Sequence, residues 1–283
     1  MSPKTPSEAI ADGFRYLYIF DTVSGGSAIL TDPGTLLTVS NILFSSNLDE
    51  ALNIGGTISS GGSLMVSGCT FSNNSGLTAG AILSTGSSTV IDSTFIENLS
   101  RYCGAIMYSG SGTSNRVSGC TFARNVGRAH SGAIFLSTLL WLDVDNSTFV
   151  ENRTGSDPTP FTAGAIKMAA SAQLTLSSVT IHSNSIFECG AGGIMTSSFN
   201  LTMDHTIVAG NIGGICYPSP APYIAPDIRG PIVSGGFNLI GSSDGTYSFD
   251  PSDLIGIDPL LGPLQDNGGA DLNKETSSGK PIN

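Results

Sequence analysis

Asp143 and Asp145 alternate with apolar residues in the stretch Trp-Leu-Asp-Val-Asp at 141–145. Alternate residues of an extended segment share a face, so both carboxylates are expected on one outer surface. Asp204 holds the place of Asp145 in a later copy of the same pattern, with His205 beside it and Lys167 on a neighbouring strand. Carboxylates gathered with a base or a cation on one surface are what glycoside hydrolysis or polysaccharide elimination requires. Carboxylate oxygens are also what a calcium ion requires. If the chain is an enzyme, Asp143, Asp145, Asp204 and Lys167 are its expected catalytic set. The plainer expectation is that these are solvated outward positions, since Asp is common beside turns. His130 and His182 have no evident partner in the sequence. The five cysteines, Cys69, Cys103, Cys120, Cys189 and Cys216, contain no C-x-x-C spacing, so neither a zinc nor a redox site is expected. No metal and no cofactor is implied.

The elements that would position these groups are set by a repeat. "VSGCTFSNN" at 66–74 returns as "VIDSTFIEN" at 90–98, "VSGCTFARN" at 117–125 and "VDNSTFVEN" at 144–152. Its Phe falls at Phe44, Phe71, Phe95, Phe122 and Phe149, with Ile181 and Val208 in two degenerate copies. Three residues after each stands Asn47, Asn74, Asn98, Asn125, Asn152, Asn184 or Asn211, and five residues before each stands an apolar residue, from Val39 to Met203. A Gly-x-Ile phrase interleaves, as "GAI" at 80–82, 104–106, 132–134 and 164–166. The apolar runs are too short for a helical period. Three short strands per coil, at 24–32 residues per coil, predict an all-β fold, a right-handed parallel β-helix of about eight coils. The five Phe residues then form a stacked core ladder, and the seven Asn residues a ladder at the next turn. There their amides can bond backbone groups of their own and adjacent coils.

Within the phrase, Val66, Cys69 and Phe71 are expected to point inward and Thr70 outward. The column three before the Phe holds Asn41, Gly68, Asp92, Gly119, Asn146, Ser178 and His205. These types favour a left-handed bend. Cys69 and Cys120 lie two coils apart, roughly 9–10 Å on strand stacking, too far for a disulfide, and are expected to be buried thiols. Cys103 and Cys189 each precede a Gly-rich phrase and are expected to serve as small residues, and Cys216 has no place in the pattern. The outward column Thr70, Thr94, Thr121, Thr148 and Thr180 lacks a second matching row, so Thr there suits the strand rather than an ice surface. The five N-x-Ser/Thr sequons, at Asn73, Asn98, Asn146, Asn152 and Asn200, matter only in a eukaryotic source.

Composition narrows the function classes. Charged residues make up 12% of the 283, Gly numbers 36, and the net charge is −11. Eleven Lys and Arg scattered singly along the chain do not make a phosphate-binding surface, so nucleic acid is not an expected partner. No apolar run is long enough to span a membrane. The first residues, "MSPKTPSEAIADGF", lack a signal-peptide profile. Residues 1–23 are expected to form an N-terminal segment or cap, 24–216 the β-helix repeats, and 217–283 a Pro/Gly-rich loop and tail wrapped over the last coil. The insertion at 153–164 lengthens one coil, and long loops on one side of such a fold tend to make its binding face. In the loop "CYPSPAPYIAPDIRGP" at 216–231, Tyr217 and Tyr223 offer a contact face, the plainer expectation being a solvated loop.

The pairing of Gly-Ala-Ile with Phe-x-x-Asn, in "AGAILSTGSSTVIDSTFIEN" (79–98), "CGAIMYSGSGTSNRVSGCTFARN" (103–125) and "SGAIFLSTLLWLDVDNSTFVEN" (131–152), resembles the repeat of the chlamydial polymorphic outer membrane proteins. Those are autotransporter-type adhesins with a β-helix passenger. "GFNLIGSSDG" (236–245) and "DPLLGPLQDNGG" (258–269) resemble the C-terminal signature of bacterial surface β-helix proteins whose downstream anchor varies. "SGKPIN" at 278–283 is a degraded match to that signature's ending. The recurring residues are all explained by stacking, and no acid–base or metal constellation converges. With the adhesin lifestyle the resemblance implies, the expectation is therefore a secreted or cell-surface, non-catalytic protein, adhesin-like or a rigid spacer, monomeric, with a glycan or a cell-surface protein as partner. The alternative is a polysaccharide lyase or glycoside hydrolase of the pectin-lyase-like β-helix type.

Overall fold

A computed structural model describes residues 9–11, 28–48, 55–155, 161–187, 189–196, 200–216, 223–244, 249–262 and 264. Among these residues every regular element is a strand of two to five residues. The strands stack coil on coil into three long sheets. A valine sheet runs from Leu36–Ser40 to Val233–Ser234, with Ala9–Ala11 added at its start. A phenylalanine sheet runs from Leu43–Ser45 through Leu239–Ile240 to Leu254–Ile255. An isoleucine sheet runs from Ile29–Thr31 to Ile228–Arg229. The chain is a parallel β-solenoid. Register is kept residue for residue: Val90 pairs with Val66 on one side and Val117 on the other.

The repeat phrase explains each bend. In Ser114–Ser118, Asn115 and Val117 are buried and Ser114 and Arg116 exposed. Strict alternation would then turn Gly119 inward. Instead Gly119 takes a φ of 63°, the strand kinks, and Cys120 and Phe122 face the core. The whole column does this, from Asn41 at 54° to His205 at 47°. The Phe rings then stack at 4.6–4.9 Å between centroids with nearly parallel planes, one ring per coil at the strand spacing.

A second left-handed column lies two residues after the Phe, at Ser46, Asn73, Glu97, Arg124, Glu151 and Ser183. Its mixed residue types hide it in the sequence, and each costs roughly 1 kcal/mol in backbone strain. The residue that follows supplies the offset. Asn98 donates its backbone N–H and its Nδ2 to Asn125 Oδ1 at 3.1 and 2.9 Å, and donates from Nδ2 to the Phe71 carbonyl at 2.9 Å. Asn125 and Asn152 repeat the pattern. After this turn comes a fourth, very short strand, two residues long, from Ser75–Gly76 to Ser185–Ile186. Two residues carry no period, so the sequence shows only three strands per coil.

The solenoid extends past the 216 boundary expected from the repeat. Ile228–Arg229, Val233–Ser234 and Leu239–Ile240 stack in parallel on the preceding coil, and Leu254–Ile255 on Leu239–Ile240. The 217–283 region thus continues the coils over its described part instead of only wrapping the end. Its phrase has lost the Phe, leaving Ile240, which is why the pattern stops being readable. At the other end Ala9–Ala11 pairs with Leu37–Val39, so a strand comes from within the 1–23 segment. Residues 1–8 and 12–23, Tyr217, the centre of the 153–164 insertion and the ending at 278–283 lie outside the described residues.

The cysteines divide. Cys69, Cys103 and Cys120 are buried free thiols, and burial pushes the Cys103 thiol up to about 12, leaving it unreactive. Cys189 departs from its expected small-residue role. The phrase there is doubled, Gly-Ala-Gly-Gly-Ile, and Ala191 instead takes the small position beside Ala163. Cys189 is left outside the wall and forms a disulfide with Cys216, 27 residues on. Cys216 sits in a small hairpin where Ile215–Cys216 pairs antiparallel with Tyr223–Ile224. Closing a loop of this size is worth about 3 kcal/mol. Reduction with dithiothreitol is expected to lower the urea midpoint by that equivalent. An unchanged midpoint, with both thiols shown to be free, would contradict it.

Candidate functional site

The outer face of the valine sheet carries the expected carboxylates. Asp145 pairs in register with Ser177, and Ser177 with Asp204. Asp145 and Asp204 therefore share a column two coils, about 9–10 Å, apart. Asp143 lies in the adjacent outward column, between Arg116 and Thr175, and is exposed. Asp145 is fully engaged: Ser118 Oγ and Asn146 Nδ2 donate to Oδ1, and Arg116 donates from Nε and Nη2 to Oδ2 at 3.1 Å. Asp204 has His205 Nδ1 at 3.8 Å, and His205 stacks on Phe237 at 5.0 Å. The three aspartates thus share one face but do not converge on one point. Arg116 and Ser118, the partners of Asp145, sit one coil earlier in the repeat alignment, and aligning the copies would have found them.

Lys167 lies elsewhere. It is on the outer face of the isoleucine sheet, paired in register with Phe135 and Met195. Its Nζ stands 3.4 Å from His130 Nδ1 and 5.7 Å from the Phe135 ring centroid. His130, which had no evident partner, is also packed against Tyr102 at 5.5 Å and Phe135 at 4.4 Å. His182 Nδ1 donates to the Ala209 carbonyl at 2.8 Å. Burial, and then the neighbouring Lys167, lower the His130 pKa from 6.5 to about 4. Burial lowers that of Lys167 too.

This pair gives a pH prediction. The unfolded imidazole takes up its proton near 6.5 and the folded one only near 4, so the unfolded state binds more protons in between. The His130 contribution is complete above about 6.5 and is lost as pH falls toward 4. Thermal melts across that window are expected to show a fall in Tm that is smaller for His130→Gln than for the wild type. Equal slopes for the two proteins would refute it.

Among the described residues no group of three or more His, Cys, Asp or Glu side chains is arranged to hold a metal ion, and no helix is long and apolar enough to cross a membrane. Residues 19–175, more than half of the 283, match the family of the right-handed beta helix region. The chain belongs to the right-handed β-helix family. The stacked coils are thus those of a right-handed β-helix, and its outer sheets are the surfaces on which any site is built. Neither a curated protein nor a solved structure matches the chain. Membership of the right-handed β-helix family fixes the scaffold, and function on such a scaffold is decided by its surface groups.

Proposed function

We propose that this right-handed β-helix is a non-catalytic protein of the cell surface or the extracellular space, adhesin-like, which holds its loops and outer faces on a rigid rod. One observation carries the reading. The residues that recur from coil to coil are committed to stacking: Phe rings in five coils, Asn amides in seven, and close-packed Gly. The outward carboxylates recur in no such way, and Asp145 is held by its own ion pair. The Cys189–Cys216 disulfide fits an oxidising compartment. The Gly-Ala-Ile and Phe-x-x-Asn phrases, which resemble those of the chlamydial polymorphic outer membrane proteins, and the surface-protein signature near the C-terminus favour the same setting.

The test is electrophoresis of the folded protein through native gels that each contain one polysaccharide. Tracks without clearing are expected in every gel. A cleared track that disappears in the Asp143→Asn, Asp145→Asn double variant, with its circular dichroism unchanged, would replace this reading with a lyase or hydrolase.

A further inference from the structure

The basic residues are scattered in the sequence and gathered in space. Among the described residues, Arg116 pairs with Asp145, Arg124 with Glu97 and Glu151, and Arg229 with Asp244. Four further described cations, Arg101, Arg128, Arg153 and Lys167, lie on one flank, which runs from the two-residue strands after the Asn turn to the outer face of the isoleucine sheet.

The coil register places them. Arg101 and Arg128 each follow a two-residue strand, Leu99–Ser100 and Val126–Gly127, which pair with each other, and Arg128 N–H donates to the Ser100 carbonyl at 3.1 Å. Arg153 pairs with Val126 in the next coil. The Arg128 stem runs toward that coil, its Cγ 3.7 Å from where a Cβ on Gly155 would stand. On the far side Lys167 meets His130, whose ring stacks on Tyr102. Among the described residues no carboxylate lies within ion-pair distance of Arg128, Arg153 or Lys167. In a protein of net charge −11, these three cations, collected on one strip with no carboxylate beside them, mark a surface shaped for an anion.

We propose that this flank binds a polyanionic glycan, a polysaccharide carrying carboxylate or sulfate groups along its length. The proposal rests on the non-catalytic display reading and names its ligand. Cations presented on successive coils, one strand spacing of about 4.8 Å apart, suit a polymer whose charges repeat, because one chain engages several at once. A small anion meets only one of them. Duplex nucleic acid carries one charge per about 1.7 Å, far denser than four cations can match, and the rest of this acidic protein repels it. The Tyr102 and His130 rings add a partly apolar platform for the faces of sugar rings.

The experiment compares native gels containing polygalacturonate or dextran sulfate with gels containing neutral dextran, backed by anisotropy titration of a fluorescein-labelled sulfated oligosaccharide. Retardation by the acidic polymers only is expected, abolished by added salt. Arg128→Ala with Arg153→Ala is expected to weaken binding about tenfold or more, while Arg116→Ala, on the valine sheet, leaves it within about twofold. The His130 titration, followed by NMR, is expected to move upward when the glycan is bound, since a nearby anion favours the imidazolium. No retardation in acidic gels, equal weakening by Arg116→Ala, or equally tight binding of a DNA oligonucleotide would each overturn the proposal. Loss of retardation without clearing removes only the flank assignment. A cleared track removes the non-catalytic reading, whatever the flank variants do.

Discussion

Replacing Asn125 with Ala is expected to lower stability by about 3–6 kcal/mol, among the largest effects of any single side chain in the protein. Asn125 is fully buried. Its Oδ1 accepts from the backbone and side chain of Asn98, and its Nδ2 donates to Asn152 Oδ1 and to the Phe95 carbonyl, all at 2.9–3.1 Å. Alanine keeps only the backbone donation to Asn152. It leaves the Asn98 N–H and one hydrogen of its amide without partners inside the wall, each costing about 1–3 kcal/mol. It also removes the bonds that hold Arg124, the preceding residue, in its left-handed conformation. Aspartate at 125 is no remedy, because it restores the acceptor for Asn98 but faces Asn152 Oδ1 with a second oxygen. Urea denaturation checks this, with midpoints for both variants expected to fall by more than about 1 M at slopes near 3 kcal/mol/M. A shift under about 0.3 M would mean that water replaces the lost amide.

The second large effect is expected at Gly132. A Cβ there would collide with the Gly164 carbonyl oxygen of the next coil and stand 2.6 Å from Arg153 N. Both obstacles are backbone, so no side chain can rotate away. The coils must part, and the bond from Gly132 N–H to the Ala163 carbonyl at 3.1 Å lies directly beside the clash. Gly80, Gly104 and Gly164 face the next coil in the same way, so the Gly of each Gly-Ala-Ile phrase is required by the approach of its neighbour. Gly132→Ala is expected to cost at least about 3 kcal/mol. Gly112→Ala separates this cause from backbone conformation: Gly112 has a φ of 73° and open space where a Cβ would be. It is expected to cost only about 1 kcal/mol. Comparable losses in the two variants would assign the Gly132 effect to conformation instead of contact.

How far the sequence could be read follows from what each feature depends on. The Phe ladder, the Asn ladder and the first left-handed column each hold similar residue types at a fixed offset from one anchor, so the period exposes them. The second left-handed column holds Ser, Asn, Glu and Arg. It is imposed by the Asn that follows it, and residue type gives no sign of it. The Cys189–Cys216 bond was hidden because a doubled glycine phrase moves Cys189 out of the column its spacing assigns it. On the candidate surface, the shared column of Asp145 and Asp204 follows from counting along the repeat. The separation of Lys167 from both does not, because it depends on which sheet faces where. The gathering of Arg101, Arg128 and Arg153 was hidden for a related reason. Residues 25–27 apart look isolated until the coils are laid on one another.

The Asn ladder also has a direction. From amide to amide, each Asn donates to the Oδ1 of the next coil toward the C-terminus and accepts at its own Oδ1 from the coil before. At one end Asn47 Oδ1 has no hydrogen-bond partner. At the other, Asn211 donates to Asp227 Oδ1 at 2.7 and 2.9 Å, and Asp227 Oδ2 accepts from Ser242 Oγ at 2.7 Å. The aligned amides form a side-chain counterpart of a helix dipole, with a carboxylate at the positive pole. A whole coil cut between two ladder asparagines begins with an acceptor and ends with a donor, so it can be copied or removed without leaving a mismatch. A coil placed after Asp227 meets an acceptor where the ladder needs a donor. Lengthening of this rod by duplication of a coil, and shortening by deletion of one, is therefore tolerated in its middle and penalised past its carboxylate end.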